Sequence, residues 1–209
     1  GIVSMYEENM EKIGDDKVSA IYVTKIDGNA VNLLGHNSYH AEILDGIADN
    51  IAPEAVAGSG LGDQYTMEDI FQMNPDYIIV SGSGLFDHDY YKEIMGSEMW
   101  AALPAVQEGR VIESPADAPW AWMGNPPASH RLISILWLGN IFYPDVFDYD
   151  LEEKVKEFYS MFYNYELSND EYAEMLKYST GNAEQTASSP APVLGILAGL
   201  GAVFLLRRR

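Results

Sequence analysis

The sequence contains no cysteine, and this absence excludes disulfide bonds, thiolate zinc sites and cysteine nucleophiles together. Basic residues are scarce as well, because 12 lysines and arginines stand against 32 aspartates and glutamates, for a formal net charge of -20. A surface of this sign repels nucleic acid and anionic lipid, which argues against a DNA-binding or RNA-binding role. The same acidity is equally typical of a salt-adapted protein and of a protein displayed at a cell surface.

Motifs of catalysis and of nucleotide binding are also missing. No Ser/His/Asp order and no distinctive carboxylate pair stands out among the abundant acids, so we predict that the chain is not an enzyme. The stretches "GSGLG" and "SGSG" lack both the Gly-Lys-Ser/Thr ending of a phosphate-binding loop and the register of a dinucleotide site. His36 and His40 are four residues apart, but Ser38 is expected to start a helix between them, so they need not share a face. We expect neither a cofactor nor a resident metal ion.

The hydrophobic residues, 47% of the chain, follow alternating strand and helix patterns. β-like runs occur at Val18–Val23, Ala30–Leu34, Tyr77–Val80 and Arg110–Ser114. Helical patterns begin at or near Ser38, Thr66, Asp89, Ser97, His130, Asp150 and Ser168. Strands that alternate with helices predict an α/β layer fold.

Local turn and cap chemistry supports these boundaries. Asp27-Gly28-Asn29 is a hairpin-type turn between the first two runs. Thr66 with Asp69, and Ser168 with Glu171, have the spacing of capping boxes.

Both ends of the chain differ from its middle. Residues 1–17 are typical of the end of an amphipathic helix that stops at Gly14, and a start in mid-helix predicts a fragment or a processed product. Residues 179–192 are rich in small residues without periodicity, which predicts a flexible linker.

The last segment, 193–209, consists of an uncharged run, Val193–Leu206, followed by three arginines. The run is shorter than the ~20 apolar residues that span a bilayer as a helix. Terminal arginines favour a cytoplasmic end, which would place the folded domain outside the cell. The segment resembles the C-terminal sorting signals of archaeal surface proteins, with Pro190-Ala191-Pro192 where Pro-Gly-Phe is usual. The alternatives are a cleaved sorting signal and a simple transmembrane anchor formed by a C-terminal apolar helix.

Three stretches resemble the C-terminal lobe of the cobalamin/iron-siderophore substrate-binding proteins of ABC importers. They are "TMEDIFQMNPDYIIV", "MWAALPAVQEGRVIESP", and "SHRLISILWLGNIFYPDVF" with "VKEFYSMFYNYELSNDE". The resemblance covers roughly residues 1–178 and implies a three-layer α/β lobe of the periplasmic-binding-protein-like fold with a helical backbone. It also implies that residues 1–17 end the connector helix between two lobes, that 18–178 form the C-terminal lobe, and that another lobe precedes them. The ligand of that family sits between the lobes.

Candidate ligand-binding residues follow the predicted strands, because ligands of open parallel sheets collect beyond the carboxyl ends of the strands. The candidates in these segments are His36, Tyr39, Ser83, Trp120, Trp122 and Met123. Tyr65, just before the Thr66 cap, and Arg131, at the start of a helix beside the aromatic loop, are added as residues that could border the same cleft. Their small, aromatic and thioether groups suit a flat, weakly polar ligand such as a corrinoid, haem or iron-siderophore chelate. Two alternatives stay open: the tryptophans could pack as a local core, and Arg131 could form a salt bridge to a nearby acid instead of gripping a ligand carboxylate.

Glu68 lies in the first turn of a predicted helix, where the helix dipole alone favours an acid. By resemblance it is also the glutamate on the lobe surface that docks on arginines of the importer's permease. Its expected partner is therefore the membrane subunit of the transporter.

The sequence thus predicts an extracytoplasmic substrate-binding component of an ABC importer for a metal chelate, held at the cell surface through its C-terminus. The alternative is a cell-surface interaction or structural module that keeps the lobe fold without ligand transport.

Overall fold

The central feature of the computed structural model, which describes residues 1–58, 60–83, 88–116, 122–123 and 129–181, is a mixed β-sheet. Within those ranges the sheet has six strands. In chain order they are β1 (Ser19–Asp27), β2 (Ala30–Leu33), β3 (Asp49–Asn50), β4 (Asp63–Thr66), β5 (Tyr77–Val80) and β6 (Val111–Glu113).

The strand β1 lies at the centre of the sheet, whose order is β4-β2-β1-β5-β6 with β3 beside the start of β1. The pairs β1–β5, β5–β6 and β1–β3 are parallel. The pairs β1–β2 and β2–β4 are antiparallel. The carboxyl ends of β1, β5 and β6 therefore point to one edge of the sheet.

Helices that precede, separate and follow these strands cover the sheet. They are α1 (Ile2–Ile13), α2 (Glu42–Ile47), α3 (Met67–Met73), α4 (Tyr90–Gly96), a 3₁₀ turn (Trp100–Ala102), α5 (Pro104–Gln107), α6 (His130–Phe142), α7 (Leu151–Tyr163) and α8 (Asn169–Met175). Both predicted capping boxes are present, at Thr66 with Asp69 and at Ser168 with Glu171.

Side-chain alternation along the strands divides the core into two clusters, one on each face of the sheet. On β1, Ala20 and Tyr22 face the first cluster, which α1, α2, α6, α7 and α8 complete. Ile21 and Val23 face the second cluster, which α3, α4, α5 and the 3₁₀ turn complete. Helices on both faces make three layers, so the predicted α/β layer architecture is confirmed.

The apolar sequence of the short strand β5 follows from its position in the sheet. Ile78, Ile79 and Val80 are all fully buried, because helices cover both faces of this parallel strand. The alternating pattern of a half-exposed strand is absent for that reason.

Several boundaries differ from the sequence-based expectation. Ser38 does not start a helix; it lies in a turn, and α2 begins at Glu42 and ends at Ile47. The strands β3 and β4 were not predicted, because β3 has two residues and β4 is an exposed edge strand, Asp63-Gln64-Tyr65-Thr66, without an apolar run.

The ends of the chain agree in part with the prediction. The helix α1 stops at Gly14, whose φ of 59° is a left-handed conformation that glycine adopts without strain. Ser179, the first residue of the predicted linker, is 2% exposed, and its carbonyl accepts a hydrogen bond from Trp137 Nε1 at 2.6 Å.

In the part of the chain that the structure describes, no helix is long and apolar enough to cross a membrane. The predicted anchor or sorting signal at 193–209 lies outside the described residues.

Candidate functional site

Three loop segments meet where the parallel strands end, and we call this region the carboxyl edge: residues 34–39, 81–83 and 114–116. A backbone hydrogen bond joins the start of each segment to a strand of the sheet. Leu34 N donates to Tyr22 O at 3.0 Å, and Ser81 N donates to Val23 O at 2.9 Å. Ser114 N donates to Val80 O at 2.8 Å. The second and third segments thus continue β5 and β6 beyond their last strand residues, whereas residues 34–39 leave the antiparallel strand β2 beside the middle of β1.

Close packing joins the second and third segments. A Cβ atom added to Gly82 would lie 2.4 Å from Ser114 O and 2.5 Å from Ala116 Cβ, so any larger residue would force the two segments apart. Next to it, Ser83 N donates to Glu113 Oε1 at 2.7 Å. The side chain of Ser83 is exposed at this edge.

Asp45 organises the segment that carries His36. Its Oδ2 accepts a hydrogen bond from Asn37 N at 2.9 Å, and its Oδ1 accepts one from Asn50 Nδ2 at 2.7 Å. His36 Nδ1 lies 3.7 Å from Asp45 Oδ1, with 44% of the His36 side chain exposed. The carboxylate thereby fixes a turn in which Asn37 adopts a left-handed φ of 60° and the imidazole stays accessible.

Arg131 joins this segment to the start of α6. Its Nη1 lies 2.5 Å from Glu42 Oε2, and its Nη2 donates to Tyr39 O at 3.3 Å. The guanidinium carbon stands 5.1 Å from the centre of the Tyr39 ring, within the range of a cation–π contact. Tyr39 is 63% exposed, so Arg131 presents an aromatic ring to solvent at the carboxyl edge. The salt bridge to a nearby acid, one of the two sequence-based alternatives, is present.

Trp122 and Met123 are buried in the first core cluster, with 1% and 3% of their surfaces exposed. Trp122 Nε1 donates to Tyr159 Oη at 3.2 Å, and its ring meets Trp137 edge to face with 6.0 Å between ring centres. Trp122 O accepts a hydrogen bond from Ser134 Oγ. The placement of these two side chains corresponds to the local-core alternative. Trp120, two residues earlier, lies outside the described residues.

Tyr65 occupies a different position from the other candidates. It lies on β4, pairs with Val31 of β2, and packs against the second core cluster, on the face of the sheet opposite Trp122. Burial, followed by the negative charges of Asp63 and Asp69, raises the pKa of Tyr65. The structure does not bring this phenol into the group formed by His36, Tyr39 and Arg131.

A cavity of about 100 Å³ opens at the carboxyl edge beside Ser83. It is lined by Ser83, Glu113, Ser114 and Pro115 from the sheet side and by Glu174 and Tyr178 from the end of α8. The contribution from α8 was missed, because nothing in the local sequence predicts that residues 178–179 return to β6. They do so through hydrogen bonds from Glu113 N to Tyr178 O at 2.7 Å and from Ser179 Oγ to Glu113 O at 2.5 Å.

The two remaining histidines lie at or just before the start of a helix and contact neighbouring side chains. His130 is the first residue of α6, is fully buried, and lies 3.2 Å from Tyr163 Oη through its Nε2. Burial lowers the pKa of His130. His88 precedes α4 and lies 2.7 Å from Glu93 Oε2.

Among the described residues no group of three or more histidines and carboxylates is arranged to hold a metal ion. His40 contacts the Tyr39 ring edge to face at 5.4 Å, and His36 lies beside Asp45.

Glu68 lies in the first turn of α3 with an exposed side chain, and Phe71, one turn later, is 39% exposed. The next residue, Asp69, belongs to the capping box instead. The hydrogen bonds that it accepts from Thr66 lower the pKa of its carboxyl group. The helix α3 therefore presents an acid one turn away from an exposed aromatic ring. It does so on the face of the sheet that carries the second core cluster.

Comparison with known proteins gives a family match over residues 1–118, to the family described as periplasmic binding protein. No curated protein matches the chain.

Solved structures of similar fold extend the match further along the chain. An ABC transporter solute-binding protein from Sulfurospirillum deleyianum is 26% identical with a TM-score of 0.68, over 84% of this chain and 55% of that one. A periplasmic solute-binding protein from Veillonella parvula is 24% identical with a TM-score of 0.63, over 88% and 54%. The molybdate periplasmic binding protein MolA of Haemophilus influenzae, bound to molybdate, is 21% identical with a TM-score of 0.59, over 80% and 49%. The chain spans about half the length of these proteins.

Proposed function

Because the chain belongs to the periplasmic binding protein family, we propose that it is the C-terminal ligand-binding lobe of an ABC importer's solute-binding protein. It captures a metal chelate, an iron-siderophore, haem or corrinoid, outside the cytoplasm and presents it to the permease without chemical change. In this proposal residues 1–17 end the helix that connects two lobes, and residues 18–178 form the lobe.

The observation that supports this proposal most strongly is the geometry of the carboxyl edge. Residues 81–83 and 114–116 pack against each other beyond β5 and β6, and residues 34–39 reach Arg131 at the start of α6; His36, Tyr39 and Ser83 have accessible side chains. Ligands of open α/β sheets collect at this edge. The segments supply a ring, small side chains and backbone amides, which suit recognition of a large, weakly polar ligand by contact area.

Ligand contact is assigned to the residues that the structure leaves accessible, together with Trp120. Tyr39 and Arg131 form one exposed unit at the edge, and Ser83 borders the cavity beside Glu113. Trp122 and Met123 lie beneath this surface and support the loop from inside the core. No role toward the ligand is assigned to Tyr65, which packs on the other face of the sheet.

The exposed start of α3 is the proposed contact with the permease. Glu68 supplies a negative charge that arginines of a membrane subunit would pair with, and Phe71 supplies apolar area next to it. Residues 193–209 are proposed to hold the lobe at the outer face of a membrane, either as an anchor or as a sorting signal.

The proposal is tested by titrating the purified chain with ferrioxamine B, a ferric trihydroxamate chelate, in an isothermal calorimeter. We expect saturable binding that weakens about tenfold in a Tyr39→Ala variant, which corresponds to a loss of about 1.4 kcal/mol. A Phe162→Ala variant is the matched control, because Phe162 is 46% exposed but lies on α7. Absence of binding to this chelate and to aquacobalamin up to millimolar concentrations would contradict the proposal and favour a cell-surface interaction module.

A further inference from the structure

The loop segments of the carboxyl edge contain no lysine or arginine. In the sequence, residues 34–39, 81–84 and 114–124 carry one histidine, His36, and one acid, Asp117, but no lysine or arginine. Any positive charge offered to a ligand must therefore come from the helices that border the edge or from Lys25 near the carboxyl end of β1, whose Nζ lies 3.7 Å from Asp27 Oδ2.

The cations that border the edge are already paired with carboxylates. Arg131 at the start of α6 lies 2.5 Å from Glu42, and its remaining contacts are the carbonyl and the ring of Tyr39. On the other side of the edge, Lys177 Nζ lies 3.4 Å from Glu174 Oε1 and Lys92 Nζ lies 2.6 Å from Asp89 Oδ2. These charges are neutralised where they stand.

Further acids lie in the same region without adding a cation. Asp45 lies beside His36, and Glu113 accepts a hydrogen bond from the amide of Ser83 at the cavity wall. Glu54 accepts a hydrogen bond from Asn37 Nδ2 at 3.3 Å. The local potential of the edge is therefore negative, and a concave surface of one sign concentrates ligands of the opposite sign.

Glu42 has a particular position in this arrangement. The Glu42 carboxylate makes the shortest contact of the Arg131 guanidinium, and 26% of the Arg131 side chain stays exposed. A ligand carboxylate or oxyanion would have to replace Glu42 on Arg131, and the displaced acid would remain nearby and repel it. A neutral or cationic ligand can instead lie against the Tyr39 ring without breaking the pair.

We infer that the ligand is a neutral or cationic metal chelate, and that Glu42 sets this selectivity by occupying the guanidinium of Arg131. The inference rests on the proposed function, since it concerns the ligand of the same site. It disfavours haem, through its propionates, and polyanionic siderophore complexes. Glu42 is a positioning residue, because it acts on the ligand through Arg131.

The test uses three ferric chelates that differ in charge but share one metal-binding core. Ferrioxamine B carries a pendant ammonium, its N-acetyl derivative is neutral, and its N-succinyl derivative carries a carboxylate. Isothermal titration of the purified chain with each gives the ratio of affinities between the cationic and the anionic member. We expect a ratio of about ten or more in favour of the cation, equivalent to about 1.4 kcal/mol.

Two variants separate release of Arg131 from a simple change of charge. Glu42→Gln removes the acid that holds the guanidinium, and it should lower the ratio about tenfold, equivalent to about 1.4 kcal/mol. Glu54→Gln removes one negative charge from the same edge but leaves the Arg131–Glu42 pair in place, so it should change the ratio less than about threefold through the field alone. The ratio is the informative quantity, since a purely structural defect would weaken all three chelates alike.

Salt gives an independent measure of the same electrostatic preference. Because the Debye length falls from ~30 Å at 0.01 M to ~3 Å at 1 M ionic strength, the ratio should shrink as salt is added. Binding of all three chelates with preference for the succinylated member, or an unchanged ratio in Glu42→Gln, would overturn the inference and leave the proposed function standing. Failure of all three to bind would overturn the proposed function and the inference with it.

Discussion

Replacement of Trp122 by alanine should destabilise the fold rather than act on the ligand surface. The indole is 1% exposed, and three neighbours fix it: Tyr159 through a hydrogen bond at 3.2 Å, Trp137 through an edge-to-face contact, and Ser134 through the backbone carbonyl. Truncation of a fully buried tryptophan costs about 3–5 kcal/mol, from lost burial and from the cavity left behind. Because small and medium domains are stable by about 5–15 kcal/mol, this change removes a large part of the total.

A companion variant isolates the polar part of this cost. Tyr159→Phe keeps the ring of Tyr159 but leaves the buried indole N–H of Trp122 without its acceptor, and an unsatisfied buried donor costs about 1–3 kcal/mol. The two variants should therefore rank as Trp122→Ala more destabilised than Tyr159→Phe.

Equilibrium unfolding in urea, followed by far-ultraviolet circular dichroism, gives the free energy of unfolding for each variant. Trp120→Ala serves as the comparison, since it removes an indole from the same loop and is expected to weaken chelate binding. The reasoning is refuted if Trp122→Ala lowers the free energy of unfolding by less than about 1 kcal/mol, well below the ~3–5 kcal/mol expected for a core residue. A tenfold loss of chelate affinity in such a stable variant would place Trp122 in the ligand site instead.

Three further changes test other parts of the account. Glu68→Ala should alter the free energy of unfolding by less than about 1 kcal/mol, because only a first-turn charge is lost. It should nevertheless lower uptake in a transport assay with the intact importer. Normal uptake would remove Glu68 from the docking surface. Hydrogen bonds from Tyr165 and Ser168 hold the pKa of Glu171 at about 2, below the usual 4.5. The contribution of this carboxylate to the free energy of unfolding is therefore complete above pH 4.5 and is lost as the pH falls toward 2. Between pH 4.5 and pH 2, the free energy of unfolding should fall less steeply with pH in Glu171→Gln than in the unmodified chain. Equal slopes would contradict the stabilising role of the Glu171 carboxylate. A chain ended after Ser188 should stay in the supernatant when membranes are sedimented, whereas persistent co-sedimentation would rule out attachment through residues 193–209.

The layered fold was predictable because strand and helix periodicities are strong in this chain. The apolar run Tyr77–Val80 and the two capping boxes mark their elements unambiguously, and each is present as predicted. The strands β3 and β4 were not predictable, since pairing with β1 and β2 stabilises them rather than any pattern of their own.

The candidate site was predictable as a region but not residue by residue. The rule for open sheets predicted a site bordered by residues 35–39, 81–84 and 114–124, and backbone hydrogen bonds place Ser81 and Ser114 at the carboxyl ends of β5 and β6. Which side chains point outward depends on tertiary packing: Trp122 and Tyr39 both follow strands, yet one is 1% and the other 63% exposed. The contribution of Tyr178 to the cavity depends on a return of the chain to β6 that no local pattern encodes.

The central claim, that the carboxyl edge binds a metal chelate, is tested most directly by amide chemical shifts. The diamagnetic gallium complex of desferrioxamine B is added to the isotope-labelled chain, and the shifts are mapped on the sheet. We expect saturable changes at residues 36–39, 81–83, 114 and 116, with none at Val18, Asp76 or Arg110, which lie at the opposite ends of β1, β5 and β6. Changes confined to that opposite edge, or no saturable change at any amide, would contradict it.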